Sequence, residues 1–164
     1  FRVWPEGDAD PVSAFVKADR RRRDPAAYAL SLTLDTRFGD MDVNGHLNNV
    51  AFARLFEETR VRFGRVGPGA PLADAPRASF VVAHVAIDYL AEGNYPAPVT
   101  IGYAVAKVGS SSFTVAMAAF QDGPAGPQCI ALCDSVLVHR DPASGPAPLP
   151  AAWRERLEAL ALRG

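Results

Sequence analysis

Five segments of the chain alternate apolar and polar residues, which predicts strands that bury one face. The segments are Tyr28 to Arg37, Ser79 to Leu90, Val99 to Val108, Ser112 to Gln121 and Cys129 to Arg140. In the second segment, the alternation predicts one shared face made of Val81, Ala83, Val85, Ile87 and Tyr89. The short turn Gly109 to Ser111 predicts a hairpin between the third and fourth segments, and Asp122 to Pro127 predicts a turn before the fifth.

Two other segments have helical spacing. The first starts at Asn48, and its shared apolar face is Phe52, Leu55, Phe56, Thr59 and Phe63. We expect Asn48 or Asn49 to cap this helix and Gly64 to end it. The second helix follows the Pro-rich segment Asp141 to Pro150, with Trp153, Leu157 and Leu160 on one face. A third, short helix is expected between Val12 and Arg23.

The order of these elements is one strand, a long helix with a wide aromatic face, and then four strands. Such a helix has to bury its face against a sheet, so we expect an α+β fold with an antiparallel sheet curled round a central helix. A chain of 164 residues has the size of one domain. We expect residues 1–27 to be an N-terminal extension, 28–140 to be the domain, and 141–164 to be a linker and a terminal helix.

Composition narrows the class of protein. A net charge of −1 gives no electrostatic reason to expect a nucleic acid or a membrane surface as a partner, and no apolar run is long enough for a membrane span. We expect the basic cluster Arg20 to Arg23 to be a solvated face. Cys129 and Cys133 lie about 13 Å apart in one predicted strand, too far for a disulfide. Without a signal-peptide pattern, a reduced cytoplasmic protein is predicted.

The richest segment is FGDMDVNGHLNN, residues 38–49, which precedes the long helix. It is either a polar turn that caps the helix or a catalytic centre at the helix N-terminus. Asp42 lies just upstream of the helix start, where the helix dipole favours an ionised carboxylate. Gly45 allows close approach of a ligand to the backbone. The N–H groups around Gly45 and His46 are candidates for binding a carbonyl oxygen as it gains charge.

The stretch FGDMDVNGHLNNVAFARLFEETR resembles the signature of the hotdog-fold acyl-CoA thioesterases, the 4-hydroxybenzoyl-CoA thioesterase-like group. The positions that carry the resemblance are Asp40, Asp42, Gly45, His46, Asn48, Asn49 and Phe52, with Phe52 where tyrosine is usual. VAHVAIDYLAEGNYPAPVTI and GSSSFTV also resemble later segments of that family. The likeness runs from about Tyr28 to Arg140 and implies a hotdog fold with thioesterase activity.

The resemblance also implies roles for individual residues. Asp42 is expected to attack the thioester or to activate water, while the backbone at Gly45 and His46 polarises the carbonyl. The expected substrate-binding residues are Asn48, Asn49, Phe52, Ser110, Ser111 and Ser112, the serines contacting a pantetheine arm. The reaction needs no metal or other cofactor, since coenzyme A is part of the substrate. The family further implies a homodimer or homotetramer with its site between subunits.

Structural alternatives remain open for most of these residues. The asparagines are good helix caps, His46 is equally suited to stabilising the loop, and the aromatic residues suit a core. Ser110 to Ser112 also suit a plain polar turn. Glu58 lies four residues before Arg62, which predicts a surface ion pair rather than a second catalytic carboxylate.

Two other functions compete with thioester hydrolysis. Hotdog hydratases and dehydratases resemble a D-x-N-P-x-H pattern, but here Asp42 and His46 are four residues apart rather than five, and Gly45 follows Asn44 where that pattern has proline. A non-catalytic protein that holds an acyl-CoA or an acyl carrier protein would have the same fold. The acyl group, fatty or aromatic, is left open by the sequence.

Overall fold

The computed structural model describes residues 19–66, 78–141 and 143–164. In these residues, strands form a curled antiparallel sheet in the order β1-β3-β4-β5-β2, with β6 paired to the end of β5. The strands are β1 (Leu30–Leu34), β2 (Ser79–Tyr89), β3 (Val99–Val108), β4 (Ser112–Gly123), β5 (Gly126–Asp141) and β6 (Gly145–Pro146). Strand β1 is shorter than predicted, although its leucines are half-buried and alternate with exposed Ser31 and Thr33 as expected.

Helix α1 (Asn49–Val61) packs its apolar side against one face of the sheet. The side-chain oxygen of Asn48 accepts a hydrogen bond from the N–H of Ala51 at 2.8 Å, so Asn48 is the N-cap. The buried residues of α1 are Ala51, Phe52, Leu55, Phe56 and Thr59. This is the predicted stripe, and the α+β arrangement of a curled sheet with a central helix is confirmed.

The end of α1 differs from the prediction. Gly64 does not end the helix, because the chain continues directly into a π-helical turn, Arg62–Val66. The N–H of Arg62 already reaches the carbonyls of both Glu58 and Thr59. Gly64 does not have the positive φ of a helix-ending glycine. The wider turn carries Phe63 onto Tyr103, with ring centroids 5.4 Å apart.

Strand β2 lies at one edge of the sheet and contains a bulge. Its pairing with β5 shifts between Val82 and His84, which leaves Ala83 as the extra residue. Before the bulge, Phe80 faces α1; after it, Ile87 does. The single face predicted from Val81 to Tyr89 is therefore wrong, because one inserted residue reverses the alternation and puts Val81 on the opposite face from Ile87.

The face of the sheet opposite α1 is covered by the N-terminal residues. Arg20–Arg23 forms a 3₁₀ turn, and the part of the expected helix before Asp19 lies outside the described residues. Arg22 is 4% exposed, and its guanidinium lies 2.9 Å from the Asp134 carboxylate of β5. The prediction of a solvated basic face is thus wrong for Arg22, whose guanidinium donates to the Tyr28 hydroxyl and to the backbone carbonyls of Met117 in β4 and Cys133 in β5.

Helix α2 (Ala151–Glu158) packs on the same core as α1, with Trp153, Leu157 and Leu160 buried as predicted. The proposed division at residues 27 and 140 stays a prediction. Cys129 and Cys133 are both free thiols. In the described ranges, no helix has the length and apolar character that a membrane crossing requires.

Candidate active site

The segment that precedes α1 folds into a tight hairpin, called the motif loop here (residues 38–48). Met41 forms a β-bridge with Leu47, and the N–H of Asp42 donates to the carbonyl of His46 at 2.8 Å. The turn closes when the N–H of Gly45 donates to the Asp42 carbonyl at 3.1 Å. Gly45 has a φ of +82°, a conformation that disfavours residues with a Cβ.

The Asp42 carboxylate is exposed at this turn and folds back onto its own loop. Its Oδ1 accepts hydrogen bonds from the N–H groups of Asn44 at 2.8 Å and His46 at 3.3 Å. These bonds stabilise the anion, so the Asn44 N–H first, and the His46 N–H with it, hold the pKa of Asp42 below its usual value. Asp42 is therefore an ionised, solvent-accessible carboxylate in a fixed turn.

Asp40 has a different task in the same loop. Its Oδ2 accepts the N–H of Arg37 at 2.8 Å, and its backbone carbonyl accepts the N–H of Asn48 at 2.8 Å. Asp40 thereby joins the start of the loop to the cap of α1. These contacts are those of a residue that shapes the turn.

The N–H groups of Gly45 and His46 were expected to bind a carbonyl oxygen. In the structure both donate within the loop, to the backbone and the side chain of Asp42. At the start of α1, Ala51 donates to Asn48, while the N–H groups of Asn49 and Val50 have no hydrogen-bond partner among the described residues. The free donors of this region are therefore at the first turn of α1.

His46 connects the motif loop to the segment after β2. Its Nε2 lies 3.1 Å from a carboxylate oxygen of Glu92, and the N–H of the next residue, Leu47, donates to the Gly93 carbonyl at 2.8 Å. Both contacts hold the loop against the same neighbouring segment. This geometry is that of a residue that stabilises the loop.

The helix residues of the motif separate into two groups. Asn49 is exposed, and its carbonyl lies 3.5 Å from the Tyr89 hydroxyl. Phe52, in contrast, is 3% exposed and packs edge-on against the Tyr89 ring. Its position on the apolar stripe puts Phe52 in the core, and contact between its ring and a substrate stays a prediction.

Ser110, Ser111 and Ser112 lie far from Asp42 within one chain. The turn they form is tied to the end of β5, where the Ser111 carbonyl accepts the N–H of His139 at 2.8 Å. The motif loop lies near Tyr89, which pairs with Ala131. Ala131 and His139 are eight residues apart on β5, or about 26 Å. A single chain does not bring the serines and Asp42 into one site.

Two depressions flank α1. A groove of about 730 Å³ between β1 and α1 has many charged residues, including Asp40 and the pair Glu58–Arg62, whose predicted ion pair is present at 2.6 Å. A second depression of about 510 Å³, called the crevice here, lies between the C-terminal half of α1 and the sheet. Its walls are mostly apolar and include Phe80, Phe113 and Trp153.

Sequence reasoning did not select two polar residues of the crevice, Arg60 and Tyr103. A signal for Arg60 was present: it follows Phe56 by four residues and precedes Phe63 by three, so it lies on the apolar stripe of α1. Its side chain is 13% exposed. In the described part of the chain, no group of three or more His, Cys, Asp or Glu side chains is arranged to hold a metal ion.

Comparison with known families decides the class of this site. The model of the thioesterase-like superfamily matches residues 36–157, a span that includes the motif loop, α1, β2 to β6 and nearly all of α2. The chain belongs to this superfamily. It is a thioester hydrolase with the hotdog fold, as the motif predicted.

Solved structures of thioesterase-like superfamily proteins have the same fold. A thioesterase from Thermus thermophilus, complexed with coenzyme A and Zn, is 32% identical, with a TM-score of 0.67, over 84% of this chain and 98% of that one. A thioesterase superfamily protein from Jannaschia sp. is 28% identical, with a TM-score of 0.72, over 85% and 89%. At 16% identity, a mutant of 4-hydroxybenzoyl CoA thioesterase shares the fold, with a TM-score of 0.64, over 78% and 97%. No curated protein matches the chain.

Proposed function

We propose that this protein hydrolyses the thioester of a fatty or aromatic acyl-CoA, with Asp42 as the catalytic carboxylate. The observation that carries the proposal is the geometry of the motif loop, which fixes an exposed, ionised carboxylate beside the first turn of a helix. Thioester cleavage requires such a nucleophile or base together with donors for the developing oxyanion.

The reaction follows from these groups. The Asp42 carboxylate attacks the thioester carbonyl carbon, or takes a proton from a water molecule that attacks it. The N–H groups of Asn49 and Val50, which have no partner among the described residues, are the available donors to the carbonyl oxygen as it gains negative charge. The carbon–sulfur bond then breaks and coenzyme A leaves as a thiolate, which takes up a proton from solvent. If Asp42 is the nucleophile, water then hydrolyses the mixed anhydride it has formed; by either route the acyl group leaves as a free carboxylate.

We also propose that two copies pair through β2 and that this pairing completes the site. Strand β2 is the last strand of the sheet, and its outer edge has no paired strand among the described residues. On its helix side, Val82, Val85 and Tyr89 are 44%, 46% and 49% exposed. Unpaired edges with exposed apolar side chains favour association with another chain.

Antiparallel pairing about a two-fold axis near His84 has a direct consequence for the site. It puts the first residues of β2 beside the last residues of the partner's β2. The serine turn and the crevice lie at the first end, and the motif loop lies at the last. Within one chain, the serine turn and the motif loop are roughly 26 Å apart. In the proposed dimer, the serine turn of one chain lies beside the motif loop of the other, so a single coenzyme A substrate can contact both.

The proposal is tested by measuring free thiol release from a panel of acyl-CoA substrates that varies in chain length and in aromatic content. Asp42→Asn keeps a side-chain oxygen that accepts the N–H groups of Asn44 and His46, so the loop is retained while the charge is lost. We expect this variant to lose activity by at least about a hundredfold. Asp40→Asn is the matched control, and we expect most of its activity to remain.

Three other outcomes would lead to different conclusions. Parent-like activity of a folded Asp42→Asn variant would remove the catalytic role of Asp42. Binding of acyl-CoA without thiol release from any substrate would favour a carrier role, and hydration of an enoyl-CoA without thiol release would favour a hydratase. An acyl carrier protein thioester in the same assay tests the alternative carrier.

The cytoplasmic location inferred from the two free thiols stays a prediction.

A further inference from the structure

The crevice between α1 and the sheet contains one arginine, Arg60, which has no carboxylate within hydrogen-bond distance among the described residues. Arg60 lines a space whose other walls are mostly apolar, with Glu57, Ser79 and Tyr103 as the other polar residues, and its own side chain is only 13% exposed. A guanidinium has five N–H donors. Among the described residues, Arg60 makes one side-chain hydrogen bond, from Nη1 to the Ser135 hydroxyl at 3.3 Å, a neutral and long contact. Most of the hydrogen-bonding capacity of Arg60 is therefore unused.

The nearest carboxylate to Arg60 does not satisfy it. Glu57 Oε1 lies 3.9 Å from Nη2, beyond hydrogen-bond distance, and its side chain is 67% exposed. Screening by water makes such a contact weak. By contrast, Arg62 on the exposed side of the same helix is 2.6 Å from Glu58. The half-buried arginine is thus less well paired than the exposed one.

A second polar group lies in the same crevice. Tyr103 on β3 is 2% exposed, and its hydroxyl makes no hydrogen bond to any described residue. Burial raises the pKa of this phenol, so the hydroxyl stays protonated and able to donate. The hydroxyl can therefore donate to a ligand or a water molecule in the crevice. Arg60 and Tyr103 therefore both offer donors to the crevice, and among the described residues the only acceptor for these donors is the Ser135 hydroxyl, which binds Arg60.

We propose that Arg60 and Tyr103 make this enzyme selective for acyl groups that carry a carboxylate at the end remote from the thioester. This inference rests on the proposed acyl-CoA hydrolysis and on the proposed pairing through β2, which puts the crevice of one chain beside the motif loop of the other and so lets it take the acyl chain. A carboxylate accepts N–H bonds from the guanidinium and an O–H bond from the phenol, and it neutralises a cation that is largely removed from water. The apolar walls, Phe80, Phe113, Leu137 and Trp153, surround the methylene chain between the two polar ends.

The position of Arg60 also sets the length of the acyl group. In the proposed β2 pairing, the partner's motif loop lies beside Ser79 and Phe80, so the acyl chain enters the crevice at this opening. Phe80 pairs with His139 of β5. The Ser135 hydroxyl that contacts Arg60 is four residues earlier on β5, or about 13 Å from that opening. A short dicarboxylic chain cannot reach Arg60, whereas a medium-length chain can. The carboxylate preference is therefore confined to the longer substrates.

The test compares matched pairs of saturated acyl-CoA and ω-carboxy acyl-CoA at short, medium and long chain lengths. For the parent protein, we expect the carboxylate to raise kcat/KM at medium length by about tenfold to a hundredfold, the range of a charge-assisted hydrogen bond. Arg60→Met is expected to remove this preference, so that kcat/KM for the ω-carboxy substrate falls relative to that for the saturated substrate of the same length. Arg60→Lys keeps the charge and is expected to restore part of the preference. Arg62→Met, on the exposed side of α1, is the matched control.

Each result separates the specificity from the underlying function. If the parent hydrolyses saturated substrates but disfavours the ω-carboxy ones, the selectivity is wrong and the thioesterase proposal stands. An equal loss on both substrate types in Arg60→Met, with a shifted unfolding midpoint, would make Arg60 a structural residue and overturn the inference. Arg60-dependent calorimetric binding of the ω-carboxy substrate without cleavage would support the crevice chemistry and overturn the hydrolysis of acyl-CoA.

Discussion

The guanidinium of Arg22 lies 2.9 Å from the carboxylate of Asp134, and neither side chain is more than 8% exposed. This ion pair joins the N-terminal 3₁₀ turn to the face of the sheet opposite α1. Asp134 Oδ1, the oxygen nearest to Arg22, is buried and forms no hydrogen bond of good geometry. The contact is thus a buried charge pair with one poorly satisfied oxygen.

Removing one member of this pair is expected to destabilise the protein. Arg22→Met leaves Asp134 buried without its cation, which costs about 3–5 kcal/mol of unfolding free energy. The double variant Arg22→Met, Asp134→Leu is expected to unfold near the parent, because both charges are then absent. Urea denaturation measures the effect, with the exposed Arg21→Met as the control. A single variant as stable as the parent would show that the pair contributes nothing.

We expect kcat/KM to decrease on the acid side only at low pH, where Asp42 becomes protonated. The pKa of Asp42 in the folded protein is lowered, so the carboxylate stays ionised until the pH falls through that folded pKa. The stability linked to the shift is fully present above the usual pKa of an aspartate and is lost over the same fall in pH. We therefore expect kcat/KM to stay level from neutral pH down to about pH 4. Circular dichroism at each pH verifies that the fold is intact.

A limb near neutral pH would contradict this assignment, because histidine titrates there. The profile of His46→Gln distinguishes the two groups. If the limb moves in that variant, His46 takes part in proton transfer rather than only stabilising the loop.

The edge of β2 is expected to be an interface. Lysine on an exposed edge strand opposes pairing with another chain. Val85→Lys should therefore shift the protein from dimer to monomer in light scattering, and activity should fall with it because the serine turn no longer meets the motif loop. Ser31→Lys, at an exposed position of the opposite edge strand β1, is the control. Full activity in a monomeric Val85→Lys would show that one chain suffices.

The turn at Gly45 is expected to be sensitive to a single methyl group. A Cβ at Gly45 would meet no atom within 4 Å, so the effect of Gly45→Ala comes from its φ of +82° alone. We expect about 1–2 kcal/mol of lost stability and a lower kcat from a displaced Asp42 carboxylate. Gly39→Ala in the same loop has equal space and no positive φ, so both quantities should stay near the parent.

Much of the fold followed from local patterns in the sequence. The stripe of α1, the cap at Asn48 and the buried face of α2 each depend on side chains within a few residues of one another. Tertiary effects were harder to predict. Arg22 looked like one of four equivalent arginines, and only the position of Asp134 on a distant strand makes it different.

The site was predictable to a similar degree. The motif located Asp42 correctly in a turn before α1, since the spacing of Asp, Gly and Asn sets that turn. It did not reveal that the His46 N–H binds the Asp42 carboxylate, because a backbone donor has no signature of its own. The crevice residues Arg60 and Tyr103 come from different elements, so no local pattern joins them.

Ala83 gives β2 an unusual tolerance of mutation. Substituting its side chain changes little in the pairing, because the bulged residue has no partner on β5. Deleting it would merge the two halves of the strand into one continuous register, because Val82 and His84 already pair with the consecutive residues Leu137 and Val136, and Phe80 and Ile87 would both still face α1. A scan of this strand should therefore find both substitutions and the one-codon deletion accepted at Ala83, whereas a deletion inside a regular strand moves the following side chains to the other face.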